Sequence, residues 1–127
     1  FDPQLLVNGG SNTEPARKAT VQLLGLAAPP TAIMAGNNLM PLGAMQALRD
    51  AQITVPGQMA LVGFDDFDWA DFFEPRLTLI AQPVQALGAQ AVHLLLQRMA
   101  SPDAPPHSVR LTPTLQVRNS CGCIGLE

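Results

Sequence analysis

Short apolar runs alternate along the chain with segments whose apolar residues recur at helical spacing. The run QLLVNGG at residues 4–10 reads as a buried strand ending in glycines. In SNTEPARKATVQLLGL, Ala16, Ala19, Leu23 and Leu24 share one helical face, while Arg17, Lys18 and Gln22 lie elsewhere. Ser11 and Glu14 have the spacing of a capping box, Pro15 is tolerable in a first turn, and Gly25 is a plausible stop. The plan then repeats. Pro29 and Pro30 break the chain, residues 31–35 form a buried strand, and residues 36–38 turn into a helix with Leu39, Leu42, Met45 and Leu48 on one face. Asn37 or Asn38 would cap that helix, with Pro41 in its first turn. A Pro56-Gly57 turn leads to a third strand, residues 59–64, and a fourth follows at residues 77–82. Pro83 opens a helix striped by Leu87, Ala91, Leu94, Leu95 and Met99. A proline-rich connector, SPDAPPHS, precedes a last extended stretch, residues 109–120, which Pro113 confines to an edge or a bend.

Strands alternating with helices of ~10–15 residues imply βαβ units and a mostly parallel sheet with right-handed crossovers. Ligands of such sheets bind beyond the carboxyl ends of the strands. Three strand ends here are polar: Asn8 and Gly9, Asn37 and Asn38, Asp65 and Asp66. All three would emerge on one edge, and that convergence marks the candidate site.

Composition narrows the function. The 127 residues suit one domain or part of a larger one, and 47% apolar residues are enough for a core. Seven scattered Lys and Arg against ten Asp and Glu give a net charge of −3, which disfavours direct nucleic-acid binding. No apolar run approaches the ~20 residues of a membrane span, and the opening residues lack the shape of a signal peptide, so the expected location is cytoplasmic. Cys121 and Cys123 form a single CxC. That spacing is awkward for a disulfide and short of ligands for tetrahedral zinc, so they read as free thiols in a tail.

Four aspartates fall close together in LVGFDDFDWADFFEP: Asp65, Asp66, Asp68 and Asp71. An EF-hand loop begun at Asp66 would need Gly at Asp71 and Glu at Leu77, so calcium is disfavoured. Asp65 and Asp66 are neighbours in an extended segment and point to opposite sides, which makes a poor acid/base dyad. His93 falls on the polar side of its helix and His107 in the proline-rich connector, serines are few, and G-x-S-x-G, G-x-G-x-x-G and the P-loop are missing from the sequence. The chain is therefore read as a non-enzyme with neither cofactor nor metal. Recognition remains. A carboxylate, a carboxamide and an aromatic face suit a polyol, so Asn37 and Asp65 are candidates for a sugar, a sugar acid or a nucleoside. The bland alternatives are that Asn37 or Asn38 caps a helix, that Asp66 caps a turn, that Asp68 and Asp71 are solvated, and that Trp69, Phe72 and Phe73 are core or interface.

The series PTAI, strand-end Asn then L-M-x-L-G-A, V-P, L-V-G-F-D-D, P-R-L-T and Q-P, with the closing LTPTLQVRNS, resembles the C-terminal half of the effector-binding core of lactose-repressor (LacI/GalR) family transcriptional regulators. The resemblance implies an α/β, periplasmic-binding-protein-like (type I) three-layer sandwich, here mostly its C-terminal subdomain and incomplete. It further implies that residues 1–76 belong to that subdomain without its first strand. Residues 77–100 would cross to the N-terminal subdomain, residues 101–120 would be connector and terminal strand, and residues 121–127 a tail. The implied function is sensing of a small effector between two subdomains, with allosteric control of operator DNA through a headpiece absent from this chain. By the same resemblance Asn37, Asp65 and Val84 contact the effector. Trp69 contacts effector or dimer partner, while Leu42, Met45, Phe72 and Phe73 lie where family members dimerise. Asn38 replaces the commoner Asp and removes a charge from a helix N-terminus. A sheet lacking a strand is expected to self-associate or swap elements. A sugar-binding protein of an uptake system shares the fold and is the competing reading.

Overall fold

A computed structural model describes residues 2–123. Their backbone separates into two compact units. The larger contains residues up to Ala81 and from Leu115 onward, and the smaller is Gln82–Thr114.

In the larger unit the order is α1 (Thr13–Leu24), β1 (Ala32–Ala35), α2 (Met40–Asp50), β2 (Ala60–Phe64), a 3-10 turn at Ala70–Phe72, β3 (Thr78–Ala81) and, on the chain's return, β4 (Thr114–Gln116), whose first residue ends the smaller unit. The sheet order is β1-β2-β3-β4. β1, β2 and β3 run parallel, with Ala35 opposite Gly63 and Gly63 opposite Leu79. β4 makes the sheet mixed: beyond it Arg118 reaches Thr78 and then Asn119 reaches Arg76, so the two chains run in opposite directions. The expected final strand shrinks to these three residues, directly after Pro113.

Alternation along the strands sets the core. Ile33, Leu61, Leu77 and Leu79 are at most 8% exposed and meet Leu23 of α1 and Ala44, Met45 and Leu48 of α2. Fully burying a leucine contributes about 2 kcal/mol, so this cluster supplies much of the driving force. On the other face Ala32 and Met34 are exposed. The two helices therefore cover one face of the sheet, two layers of the sandwich the family resemblance implies. Gly43 lets them approach: a Cβ there would meet the backbone of Thr13 and lie 2.7 Å from Arg17 N.

Two local expectations are corrected. Residues 4–10 are not a strand. The Asp2 side chain accepts from Gln4 N at 2.9 Å and Pro3 pre-sets the first dihedral, so Pro3–Leu5 winds into a 3-10 turn. Val7 still packs against the core. Helix α1 is capped by Asn12, whose side chain accepts from Thr13 N at 2.7 Å, and not by Ser11, which sits in the left-handed region at φ +51°.

In the smaller unit, α3 (Val84–Ala100) is followed by the connector, and Arg98 fastens the two by donating to the carbonyls of Pro102 and Ala104. No residue of α3 is buried; Val92, Leu95, Leu96 and Met99 are each more than half exposed. Among the described residues no helix is long and apolar enough to cross a membrane. The tail's residues 124–127 lie outside the described residues.

Candidate functional site

The parallel register sets the geometry of the strand ends. Asn37 lies two residues beyond Ala35 and Asp65 two beyond Gly63, and those strand residues are partners. Both residues lie just past their strands, which end at Ala35 and Phe64, so the two segments leave the same edge of the sheet.

Asn37 is already held from two sides. Its Oδ1 accepts from Leu39 N at 3.0 Å and Met40 N at 2.9 Å, which caps α2, while Nδ2 donates to Ser11 O at 3.0 Å. The capping and ligand readings of Asn37 thus coincide in one side chain with both acceptor positions used and one N–H remaining. Asn38 is exposed and lies outside this cap. Asp65 is half-buried at φ +69°, a left-handed conformation that Asp tolerates better than most residues. The chain is therefore not extended at Asp65, contrary to the sequence expectation for the Asp65-Asp66 pair.

Asp66 faces a different partner. Its Oδ1 and Oδ2 each lie 3.0 Å from the guanidinium of Arg118, a bidentate pair, and Oδ1 also accepts from Phe67 N at 3.0 Å. The same guanidinium donates to Asp71 at 2.7 Å and to Leu77 O at 2.8 Å. Arg118 and Asp66 side chains are only 13% and 19% exposed, whereas Asp71 is 56% exposed. The hydrogen bonds to Asp66 hold the Arg118 pKa above its ordinary value against the opposing effect of burial. Asp66 braces its turn, as the sequence suggested, but Asp71 is ion-paired instead of merely solvated. Next to this pair Ser120 is fully buried. Its hydroxyl donates to Leu61 O at 2.6 Å and accepts from Thr78 N at 2.8 Å, while Leu61 N donates to Ser120 O. The sequence displayed Arg118 and Ser120 only as two letters of a terminal motif; their partners lie more than 40 residues upstream.

The aromatic residues separate into packed and exposed members. Phe67, Trp69 and Phe73 form a cluster, with ring centroids 4.4 Å apart for Phe67–Trp69 and 5.6 Å for Trp69–Phe73. Phe67 and Phe73 also pack on the core, whereas Phe72 is 88% exposed. Leu42 is half-buried and Met45 lies within the core, where it offers a partner little surface. Val84 is exposed at the start of α3 and belongs to the smaller unit. A cavity of about 140 Å³ lies between α1, β1 and the residues around Val7, lined by apolar groups, and none of the candidate ligand residues borders it. Among the described residues no three His, Cys, Asp or Glu side chains gather as a metal would need.

Residues 3–121 match the family model for the periplasmic binding protein-like domain. The HTH-type transcriptional repressor CytR of Escherichia coli (strain K12) is 40% identical over 98 residues, covering 77% of this chain and 29% of that protein. The transcriptional regulator CelR in complex with cellobiose superposes with a TM-score of 0.87 at 32% identity, over 94% of this chain and 37% of that one. A LacI family transcriptional regulator from Enterococcus faecium with bound ribose gives 0.72 at 30% identity, over 86% and 40%. The chain thus spans about a third of the length of such relatives. It belongs to the periplasmic binding protein-like family.

Proposed function

We propose that this chain is the larger part of the C-terminal effector subdomain of a LacI-family repressor, and that it takes a small polyol at the carboxyl edge of its parallel strands. The observation that carries this reading is the parallel pairing of Ala35 with Gly63, which brings the segments bearing Asn37 and Asp65 out at one edge of the sheet. Asp65 accepts ligand hydroxyls, and Asn37, fixed by its cap, offers its remaining N–H. The sugars in the related complexes support a sugar, sugar acid or nucleoside as the ligand class. Val84 supplies an apolar contact from the segment that crosses to the other subdomain. The exposed apolar face of α3 supports that crossing, since in the whole protein it would bury against the N-terminal subdomain.

Ligand binding shifts the two subdomains and so the operator affinity of a paired headpiece, provided the ligand contacts the two arrangements unequally. The chain carries no enzymatic step in this role. Copies pair through two places, Leu42 on α2 and the segment of Trp69, Phe72 and Phe73; β1, the outer strand of the sheet, is the element through which this chain by itself would associate or swap. Titration calorimetry of the full-length protein with sugars, sugar acids and nucleosides tests the ligand class. Asp65→Asn keeps a residue that tolerates the left-handed backbone, so folding and operator binding persist while effector affinity drops at least tenfold, about 1.4 kcal/mol. Unchanged affinity would remove Asp65 from the site. A stable monomer in gel filtration would remove the association through β1.

A further inference from the structure

The effector reading leaves the two cysteines unused, and the fold treats them differently. The chain beyond Ser120 turns sharply, with Gly122 N donating to Asn119 O at 3.2 Å. Gly122 adopts φ +71°, and a Cβ there would press to 3.3 Å on Pro56, so glycine suits the turn on both counts. The turn folds the chain back until Cys123 N donates to Cys121 Sγ at 3.2 Å. Cys121 Sγ also lies 3.6 Å from Arg118 O, to which the thiol donates. Cys121 is half-buried on this anchored turn, one residue after the fully buried Ser120, while Cys123 is exposed. The pair is thus one fixed sulfur and one accessible sulfur on a tight turn. Two sulfurs without a third ligand among the described residues point to thiol chemistry in preference to a metal centre.

The electrostatics make the two thiols unequal. Partial burial pushes the Cys121 thiol up, but hydrogen bonds from the Cys123 thiol, the Thr78 hydroxyl and backbone groups outweigh it and bring the pKa below the ordinary value. The Cys123 thiol, hydrogen-bonded to Cys121 and beside its charge, is pushed up. An attacking thiol works best with its charge favoured, and its partner then resolves.

We propose that Cys121 and Cys123 form a dithiol that exchanges with small-molecule disulfides, with Cys121 as the attacking and Cys123 as the resolving sulfur. The Cys121 thiolate attacks one sulfur of the small disulfide, forming a mixed disulfide and releasing one thiolate. Cys123 gives its proton to that thiolate or to water, and its sulfur attacks Cys121 Sγ. The mixed disulfide breaks, the Cys121–Cys123 bond forms, and the second small thiol leaves. Two protein thiols are oxidised and one small disulfide is reduced to two thiols, so atoms and electrons balance. Bridging removes the Cys121 S–H that donates to Arg118 O, which places the exchange at the end of the segment that fastens β2 to β3.

The test is incubation of the purified 127-residue chain with oxidised glutathione, followed by mass spectrometry of the alkylated protein and its peptides. The expected product is an internal disulfide without retained glutathione, reversed by a reductant. Cys123→Ser stalls as a stable mixed disulfide on Cys121, and Cys121→Ser loses the internal bond and reacts at Cys123 more slowly. Glutathione retained on both sulfurs, first attack at Cys123, a bond between two chains or no exchange at all would each overturn the proposal. The wild-type peptide map reads out independently of how either variant folds.

Discussion

Removing the Arg118 guanidinium is the sharpest perturbation of this fold. In Arg118→Met the aliphatic stem keeps its packing, but four hydrogen bonds disappear: two to Asp66, one to Asp71 and one to Leu77 O. The magnitude follows from exposure. Ion pairs on the surface are worth about 0–1 kcal/mol, whereas stripping a buried charge of its partner costs about 3–5 kcal/mol. With Arg118 13% and Asp66 19% exposed, the pair lies nearer the buried limit, and Asp66 retains only Phe67 N among its described donors. A loss of about 3 kcal/mol is expected. Arg118→Lys keeps the charge but not the two-pronged geometry and should lose about half of that. Asp71 is 56% exposed, so Asp71→Asn should cost under about 1 kcal/mol, and Asp66→Asn clearly more. Urea unfolding can be followed through Trp69, the single tryptophan, which lies between the two aspartates. A loss under about 0.5 kcal/mol for Arg118→Met, or Asp71→Asn exceeding Asp66→Asn, would refute the reasoning.

Ser120→Ala removes a donor and an acceptor at a fully buried position and leaves Leu61 O and Thr78 N short of partners, so a loss of about 2 kcal/mol is expected in the same unfolding assay. Gly43→Ala would gain up to about 1 kcal/mol on an open helix. Here the new methyl meets the backbone of α1, so a net loss of about 2 kcal/mol is expected, and a stabilised variant would show that the helices can part cheaply. Phe72→Glu should leave unfolding within about 0.5 kcal/mol of wild type, because the ring is 88% exposed, while sedimentation of the full-length protein shifts towards monomer.

Local periodicity carried far in this chain. The helical spacing of Leu23, Leu48 and their neighbours, the apolar runs, and the polar strand ends located three helices, three parallel strands and the edge on which Asn37 and Asp65 stand. The failures are local competition or distant pairing. At residues 4–10 the apolar run suggested a strand, but Asp2 and Pro3 impose a turn before it can extend. The capping-box spacing pointed to Ser11, but Ser11 takes a left-handed backbone and the cap falls to Asn12. The fate of Asp66 and Asp71 was hidden for a different reason. Their partner is Arg118, and no pattern within a helix or strand links residues so far apart. Conversely, the pairing of Ala35 with Gly63, just before the segments of Asn37 and Asp65, depends on strand register, which the sequence suggests only through the shared edge.

The return of the chain to its sheet sets an order of events during synthesis. β3 ends at Ala81, and the whole of Gln82–Thr114 must be made before the residues that complete β2 and β3 exist. Until Arg118 and Ser120 leave the ribosome, Asp66 has no cation, and Leu61 and Thr78 lack bonds that the finished sheet satisfies. The helices and parallel strands can gather earlier, but this part of the sheet is locked only by residues made after the whole of Gln82–Thr114. A nascent chain stopped at Val117 would therefore be collapsed yet easily digested, and a few further residues would convert it into a protease-resistant one.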